Sequence, residues 1–370
     1  GIDYNPVLRD LIVSANYPHG TPYNLIRIDD QNNAIQFSAL SGLTEELKLA
    51  TIKKSFGGFD IGDTFLGNGI DGEIAKVSAD GQTVTQSWVK LPGDGNGLLR
   101  GSLYHDSTGL FNGDIIAVTT SGQVWRVSSK GDAKLLASLG VHLEGLTVVP
   151  ADSRYGPLAG KAIVGSESEY KLYAITPDGT TTSYNLDVAI EDIDFVAKDY
   201  AFYGIDYANS RVLKADSKYF SGLEGEIIVA QEGIGSSPSG LYRLYWDGTA
   251  LRTSGINLIQ GSQSPGQWEH VTFAPNQIDF KNRLPSGDLK LNGTPQKGFV
   301  LSIDPSTIND PDNADGWIPT FNYTWEVSID GINWSKLTSA DATDNNNTYT
   351  LTTAEVAKQV RGVVSYLDGY

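Results

Sequence analysis

An all-β fold built from repeated antiparallel meanders is what this 370-residue sequence predicts, and three observations carry the prediction. The first is a strand-like run that recurs, often closing in an Asp-Gly turn, at residues 25–30, 74–81, 124–131, 172–179, 212–216 and 241–248. Successive starts are 49, 50, 48, 40 and 29 residues apart. Self-similarity at roughly 40–50 residues, made of short strands, is the signature of β-propeller blades. The second is a companion strand ahead of each copy, and the third is composition. With 41 Gly, 15 Pro and almost no stretch at helical period, the chain is punctuated for turns and strands.

The companion strands lie at 10–15, 62–66, 113–118, 160–164, 201–205 and 225–230, which makes six blades. Outer strands follow the turns, as at 84–89 and 181–186, and short alternating runs bounded by Gly and Asp are what antiparallel meanders require. Innermost strands are expected at 45–50, 144–150, 191–196 and 269–275, each with a Glu followed by apolar residues at +2 and +4. Residues 99–104 occupy the corresponding place in another blade. The chain opens on a companion strand (10–15), whereas the strand at 268–275 has no blade after it. Its expected role is to complete the first blade, leaving no exposed edge there. The blade around 220–257 looks short and is expected to hold three strands.

The propeller is thus assigned to 1–276 and a linker to 277–288, where Asn282, Pro285, Ser286 and Gly287 cluster. Residues 289–370 read as an Ig-like β-sandwich without a disulfide, with Trp325 in one central strand and Tyr349 at a later corner. Residues 352–358 predict a short helical turn. The chain stops where a last strand should follow, so the module is expected to be cut and the native polypeptide to continue.

A net charge of −17 argues against nucleic acid, which needs clustered Lys and Arg, and favours carboxylate-bound divalent cations. Without Cys there are no disulfides, no thiol chemistry and no Cys-ligated metal sites. From the lack of Met, a processed or excised piece is expected. No apolar run reaches the roughly 20 residues of a membrane span, and no signal-peptide pattern is present. A sulfur-free, acidic, strand-rich chain points to a secreted or cell-surface setting.

Near-rotational symmetry would bring Glu45, Glu144, Glu191 and Glu269 to one axial ring. Carboxylates so close need a cation or protons, and calcium, which takes 6–8 oxygen ligands in flexible geometry, suits them. The alternative is that they cap inner-strand amides or pair with Arg100. His105, His142 and His270, three of the four histidines, lie in or beside inner strands. His142 shares a face with Glu144 and could form a metal or general-base site with it, whereas alternation puts Glu269 and His270 on opposite faces. The alternative for each is packing between blades. In the sandwich, Asp310, Asp312 and Asp315 precede Gly316 with the spacing of a calcium loop that lacks its closing Glu; Asx turns explain the spacing equally. Gly-rich patches at 67–69 and 93–97 lack the context of a phosphate loop, and no G-x-S-x-G elbow exists. Trp88, Trp125, Tyr155, Tyr242 and Trp246 either bind sugars or pack between blades.

The strings at 122–127, 142–146 and 268–275 resemble a six-bladed propeller of large secreted bacterial proteins, notably cyanobacterial ones. Residues 323–334 are similar to Ig-like repeats of bacterial surface adhesins. More distantly, the propeller resembles the calcium-dependent lactonase and paraoxonase group. That resemblance implies a divalent ion on the axis, with Glu144 of Glu144-Gly145-Leu146 as an acidic ligand; the group's Asn and Asp ligands have no residue-by-residue match. The expected function is a non-catalytic binding or adhesion module of a larger secreted protein. It would carry structural calcium, present a face to an extracellular glycan or protein, and use the sandwich as spacer. The alternative is a calcium-dependent ester or lactone hydrolase acting at the axis.

Overall fold

A computed structural model describes the chain except residues 15–24, 41–42, 44–46, 101, 234–237, 259–265, 276–284, 310–320 and 367–370. The chain divides into two compact units, Gly1–Phe280 and Lys281–Tyr370. The linker expected at 277–288 falls largely outside the described residues.

The first unit is a β-propeller-type array of antiparallel sheets. The first sheet is β1 (Ile2–Asn5), β2 (Asp10–Ser14), β3 (Leu25–Ile28) and β4 (Ala34–Gln36). The second is β5 (Leu49–Thr51), β6 (Thr64–Gly67), β7 (Glu73–Val77) and β8 (Val84–Lys90). The third is β9 (Ser102–His105), β10 (Ile115–Val118), β11 (Gln123–Val127) and β12 (Ala133–Ser138). The fourth is β13 (Glu144–Val148), β14 (Ala162–Ser166), β15 (Lys171–Ile175) and β16 (Thr181–Asn185).

Beyond this point the simple order ends. Strand β17 (Asp192–Phe195) is followed by a hairpin, β18 (Tyr200–Asp206) and β19 (Arg211–Ala215), that does not join it. Instead β20 (Ile227–Gln231), β21 (Gly240–Trp246) and β22 (Leu251–Ile256) build onto β17. The chain then returns as β23 (Trp268–Pro275), which pairs with β18. Among the described residues this makes six sheets. Their first strands touch in sequence, β1 with β5, β5 with β9, β9 with β13, β13 with β17, β17 with β23, and β23 with β1.

Two expectations are corrected here. The strand at 268–275 does not complete the first sheet, because Ile2–Asn5 already pairs with β2 there. The three-stranded sheet is β19-β18-β23, whereas the sheet containing 227–256 has four strands. Aromatic packing explains the exchange. Phe202 of β18 stacks on Phe220 at 5.5 Å and meets Trp268 and Phe273 of β23 edge-on, each at 5.6 Å. Gly204 of β18 lies under the Trp268 ring, where a Cβ would come within 2.4 Å of it.

Six apolar clusters fill the six interfaces between neighbouring sheets. Strand β10 shows why: Ile115 and Ala117 enter the cluster shared with the second sheet, and Ile116 and Val118 the one shared with the fourth. A sheet buried on both faces needs an unbroken apolar run, and that is how these companion strands read. Cross-strand pairs repeat at the sheet ends: Arg27–Asp10, Lys76–Asp63 and Arg126–Asp114, each at 2.6 Å, and Arg243–Glu226 at 2.9 Å. Each joins a companion strand or its lead-in to the next strand, so the repeat carries its charges in register.

The second unit holds two antiparallel sheets. One orders β24 (Lys290–Asn292), β25 (Val300–Asp304) and β28 (Thr348–Thr350); the other orders β27 (Ser335–Lys336), β26 (Asn322–Ser328) and β29 (Gln359–Ser365). Trp325, 1% exposed, lies 5.6 Å from the Tyr349 ring of the opposite sheet, with Leu301 and Ile303 around them. The helical turn expected at 352–358 is a 3-10 turn over Thr353–Glu355, closed by a reciprocal Thr352–Glu355 capping box.

Asp10 shows the cost of burying these pairs. Burial pushes its carboxyl from 3.8 to about 6 against the pull of Arg27. A folded value above the unfolded one means this group stabilises the fold at low pH and loses that contribution as pH rises through about 6. An NMR titration should place the Asp10 midpoint near 6, and Arg27→Gln should raise it further. Gly204→Ala should cost about 1–3 kcal/mol in a denaturant melt, because the added methyl overpacks against Trp268.

Candidate functional site

The innermost strands of a closed ring have one edge that faces the axis and cannot join a ladder. Their buried amides need partners outside the ladder, such as side chains. Two buried aspartates do this. Asp192, fully buried, accepts from its neighbour Ile193 N and from Val271 N of β23, both at 2.8 Å. It also forms an ion pair with Lys48, which itself is only 7% exposed. Burial pulls the Lys48 ammonium down to about 8. Asp3 accepts from Thr51 N of β5 at 2.7 Å, from Tyr4 N at 2.8 Å and from the Thr272 hydroxyl at 3.2 Å, and pairs with Lys53 at 2.9 Å.

Beside the Lys48–Asp192 pair lies an acidic cluster, at the starts of inner strands and just past the end of the companion strand β14. Glu144, Glu167 and Glu191 offer one oxygen each, all within 4.8 Å of one another. Glu191, Glu269 and His270 offer a second such triad, so Glu191 belongs to both. Glu144 and Glu191 are buried and Glu269 is half-buried. Burial, with the positive charges of the Gly1 ammonium, Lys48 and Arg100 adding to it, holds the His270 imidazole well below its ordinary range, so it is neutral at pH 7. Its Nε2 is 3.7 Å from Glu191 Oε1. Five carboxylates (Asp192 and the four glutamates) thus stand near three positive groups, the Gly1 ammonium, Lys48 and Arg100. An all-oxygen triad suits a hard cation, and the triad with a neutral imidazole suits a borderline one.

Two β-bulges aim these side chains. In β13, Glu144 stands opposite Gly165 and Leu146 opposite Val164, so Gly145 is the extra residue. It has φ of 62°, and a Cβ there would approach the Asp192 Cα to 2.9 Å. In β23, Gly204 faces Val271 and Asp206 faces Trp268, which sets the single residue Ile205 against both Glu269 and His270. A bulge breaks the period of two, and so Glu269 and His270 reach Glu191 together, contrary to simple alternation.

Of the remaining expected residues that are described, His142 stays with the cluster through Glu144, as their shared face predicts, and His105 does not. Glu45 lies outside the described residues; among the described residues of that segment, Lys48 reaches the axis through Asp192. Asp310, Asp312 and Asp315 also lie outside them. His142 sits 3.3 Å from Glu144 Oε1 with its side chain 38% exposed. His105 packs edge-on against Phe59 at 5.2 Å with Nε2 3.3 Å from the Phe56 carbonyl, between two sheets. Trp125 and Tyr155 are buried, and Trp88 leans on Phe65 at 4.7 Å. Sequence reasoning missed Glu167, which follows a companion strand rather than an inner one. It also missed Asp3, Lys53 and Asp194, whose pattern is ordinary strand alternation.

These last three line an axial cavity of about 210 Å³, walled by residues of all six innermost strands, among them Ile2, Leu49, Leu103, Leu146, Ile193 and Phe273. Among the described residues no helix is long and apolar enough to cross a membrane.

No protein-family profile and no curated protein sequence matches the chain. Among solved structures it is similar to streptogramin B lyase, at 14% identity over 71% of this chain and 90% of that one, with a TM-score of 0.38. It is also similar to a chain of the nidogen/laminin complex (13% identity, 68% and 95% covered, TM-score 0.36). A third is BamB from Moraxella catarrhalis (11% identity, 85% and 94% covered, TM-score 0.31).

Lys48→Met should destabilise the protein by about 3–5 kcal/mol, because it strands the Asp192 carboxylate in the interior. Lys48→Met combined with Asp192→Asn should recover part of that loss in the same denaturant titration. Gly145→Ala should cost about 1–3 kcal/mol through the contact with Asp192.

Proposed function

We propose that the first unit is a six-bladed β-propeller and the second an Ig-like sandwich, together a non-catalytic binding module of a larger secreted or cell-surface protein. In this reading a calcium ion sits on the propeller axis and a glycan or protein ligand binds a propeller face. The observation that carries the cation is Glu191, shared by two triads of converging ligand atoms. Glu144, Glu167 and Glu191 would hold the ion, with Glu269 and His270 beside it. The excess of carboxylates over Lys48 and Arg100 supports it, since like charges this close are mutually destabilising unless a cation or protons intervene. An ion bridging strands β13, β17 and the β14–β15 turn would lock neighbouring blades, a structural role rather than a chemical one. A net charge of −17 and a chain without cysteine agree with a calcium-rich, extracellular setting.

The test is thermal unfolding with calcium or with chelator. A ligand present at a hundred times its dissociation constant stabilises the folded state by about 2.7 kcal/mol. Calcium should therefore raise the melting temperature by several degrees over chelator, and Glu191→Gln should abolish the difference. Identical melts in both conditions, with no heat of calcium binding, would overturn the reading. A response to zinc but not calcium would overturn it equally, by favouring the triad that contains His270.

A further inference from the structure

The two sheets of the second unit do not cover each other completely. Trp325 of β26 meets Tyr349 of β28 at 5.6 Å, and Gly362 of β29 lies under the Ile303 side chain of β25, where a Cβ would not fit. Strands β26 and β29 thus face β28 and β25, and β24 has no strand opposite it among the described residues. Leu291 of β24 shows the consequence. It pairs with Ile303 and so points into the sandwich, yet it is 48% exposed where Ile303 is 2% exposed. Beside it runs an open groove of about 570 Å³ lined by Leu291, Pro295, Leu301, Leu351, Val356 and Val360.

The outer edge of β29, on the same side, pairs with no strand among the described residues. That edge runs seven residues in regular register with β26, with neither bulge nor proline to blunt it. The charged residues lining the groove are Lys297, Lys358 and Glu355. The Glu355 carboxylate is taken by the Thr352 amide at 2.8 Å and the Thr352 hydroxyl at 2.7 Å. Neither lysine has an ion-pair partner among the described residues.

We propose that this seam takes an extended peptide segment of a partner protein, added as a strand to the outer edge of β29. Its backbone would continue the β27-β26-β29 sheet, and its alternate apolar side chains would fill the groove against Leu291. An acidic residue at its end would meet Lys297 and Lys358. In strand addition the main-chain hydrogen bonds give affinity and the alternate side chains give specificity. A strand suits the site better than a compact ligand, because it satisfies an unpaired backbone edge and an apolar groove together. The size agrees. A groove of about 570 Å³ equals about nineteen waters at about 30 Å³ each, room for about three or four aliphatic side chains.

This inference concerns the second unit alone and does not rest on the axial calcium. A fluorescein-labelled peptide, Asp-Val-Thr-Val-Thr-Val-Asp, is titrated with the full chain by anisotropy in about 0.15 M salt, which screens the overall negative charge. The controls are the same peptide with Lys at both ends, and one of equal composition with the alternation broken. The acidic alternating peptide should bind, with both controls about tenfold weaker or worse. Its binding should slow hydrogen exchange of amides within residues 359–365. Leu291→Asp should abolish binding, and Lys297→Glu combined with Lys358→Glu should turn the preference toward the Lys-ended peptide. Glu191→Gln should leave peptide binding intact. All three groove residues are exposed, so the variants should fold; if one does not, the peptide comparison and the exchange pattern of the unaltered protein decide. No binding, equal binding of the three peptides, or exchange unchanged within 359–365 overturns the proposal. So does a self-associated chain that Leu291→Asp makes monomeric while no peptide binds, which would give the groove to a second copy.

Discussion

Asp192 has no contact with solvent, yet its carboxylate takes one hydrogen bond from its own strand, one from Val271 of another sheet and a charge from Lys48 of a third. Neighbouring innermost strands in a ring are too far apart to share a ladder, so backbone hydrogen bonds cannot join them. A buried acceptor with two oxygens can. Asp3 does the same for β1, β5 and β23. Each carboxylate in turn needs a buried cation, because an ionised group left alone in the interior is strongly destabilising. The charged axis therefore follows from closing the ring, before any ligand is considered.

From that constraint come two polar regions with different excess charge. Around Asp3 two carboxylates, Asp3 and Asp194, share the lining of a cavity with Lys48, Lys53 and Lys54. Around Asp192 the carboxylates outnumber the basic groups, and two bulges turn Glu144, Glu269 and His270 toward Glu191. Bulges at both places concentrate the ligand atoms where a regular strand would have dispersed them.

The exchange of hairpins between the fifth and sixth sheets is a second means of holding the ring. Strand β18 leaves β17 and waits for β23, so the last sheet combines residues about 70 apart and the fifth is threaded through the interval. Pulling either sheet away requires breaking both. The Phe202–Trp268–Phe273 packing and the Gly204 gap select this pairing over the simpler one.

Repetition and alternation are local properties, and they were legible. All six companion strands, the turn-bearing strands and the Trp325–Tyr349 core could be read from the order of apolar and turn residues alone, because a strand buried on both faces must be apolar throughout. Glu144, Glu191, Glu269 and His270 could be named as axial candidates for the same reason. What could not be read were choices between distant partners. Ile2–Asn5 was too short to announce itself, and nothing in the strand at 268–275 says which sheet it joins, since its apolar face suits either. That choice lay in the fit of Trp268 over Gly204. Likewise Glu167, Asp194 and Lys48 carry no pattern of their own, and the bulge that unites Glu269 with His270 exists only against the facing strand. By itself the sequence determined where most strands of the first unit lie, though not Ile2–Asn5 and not the first residue of each. Only the tertiary structure decided which edges meet on the axis and therefore which carboxylates are spent on closing the ring and which cluster beside it.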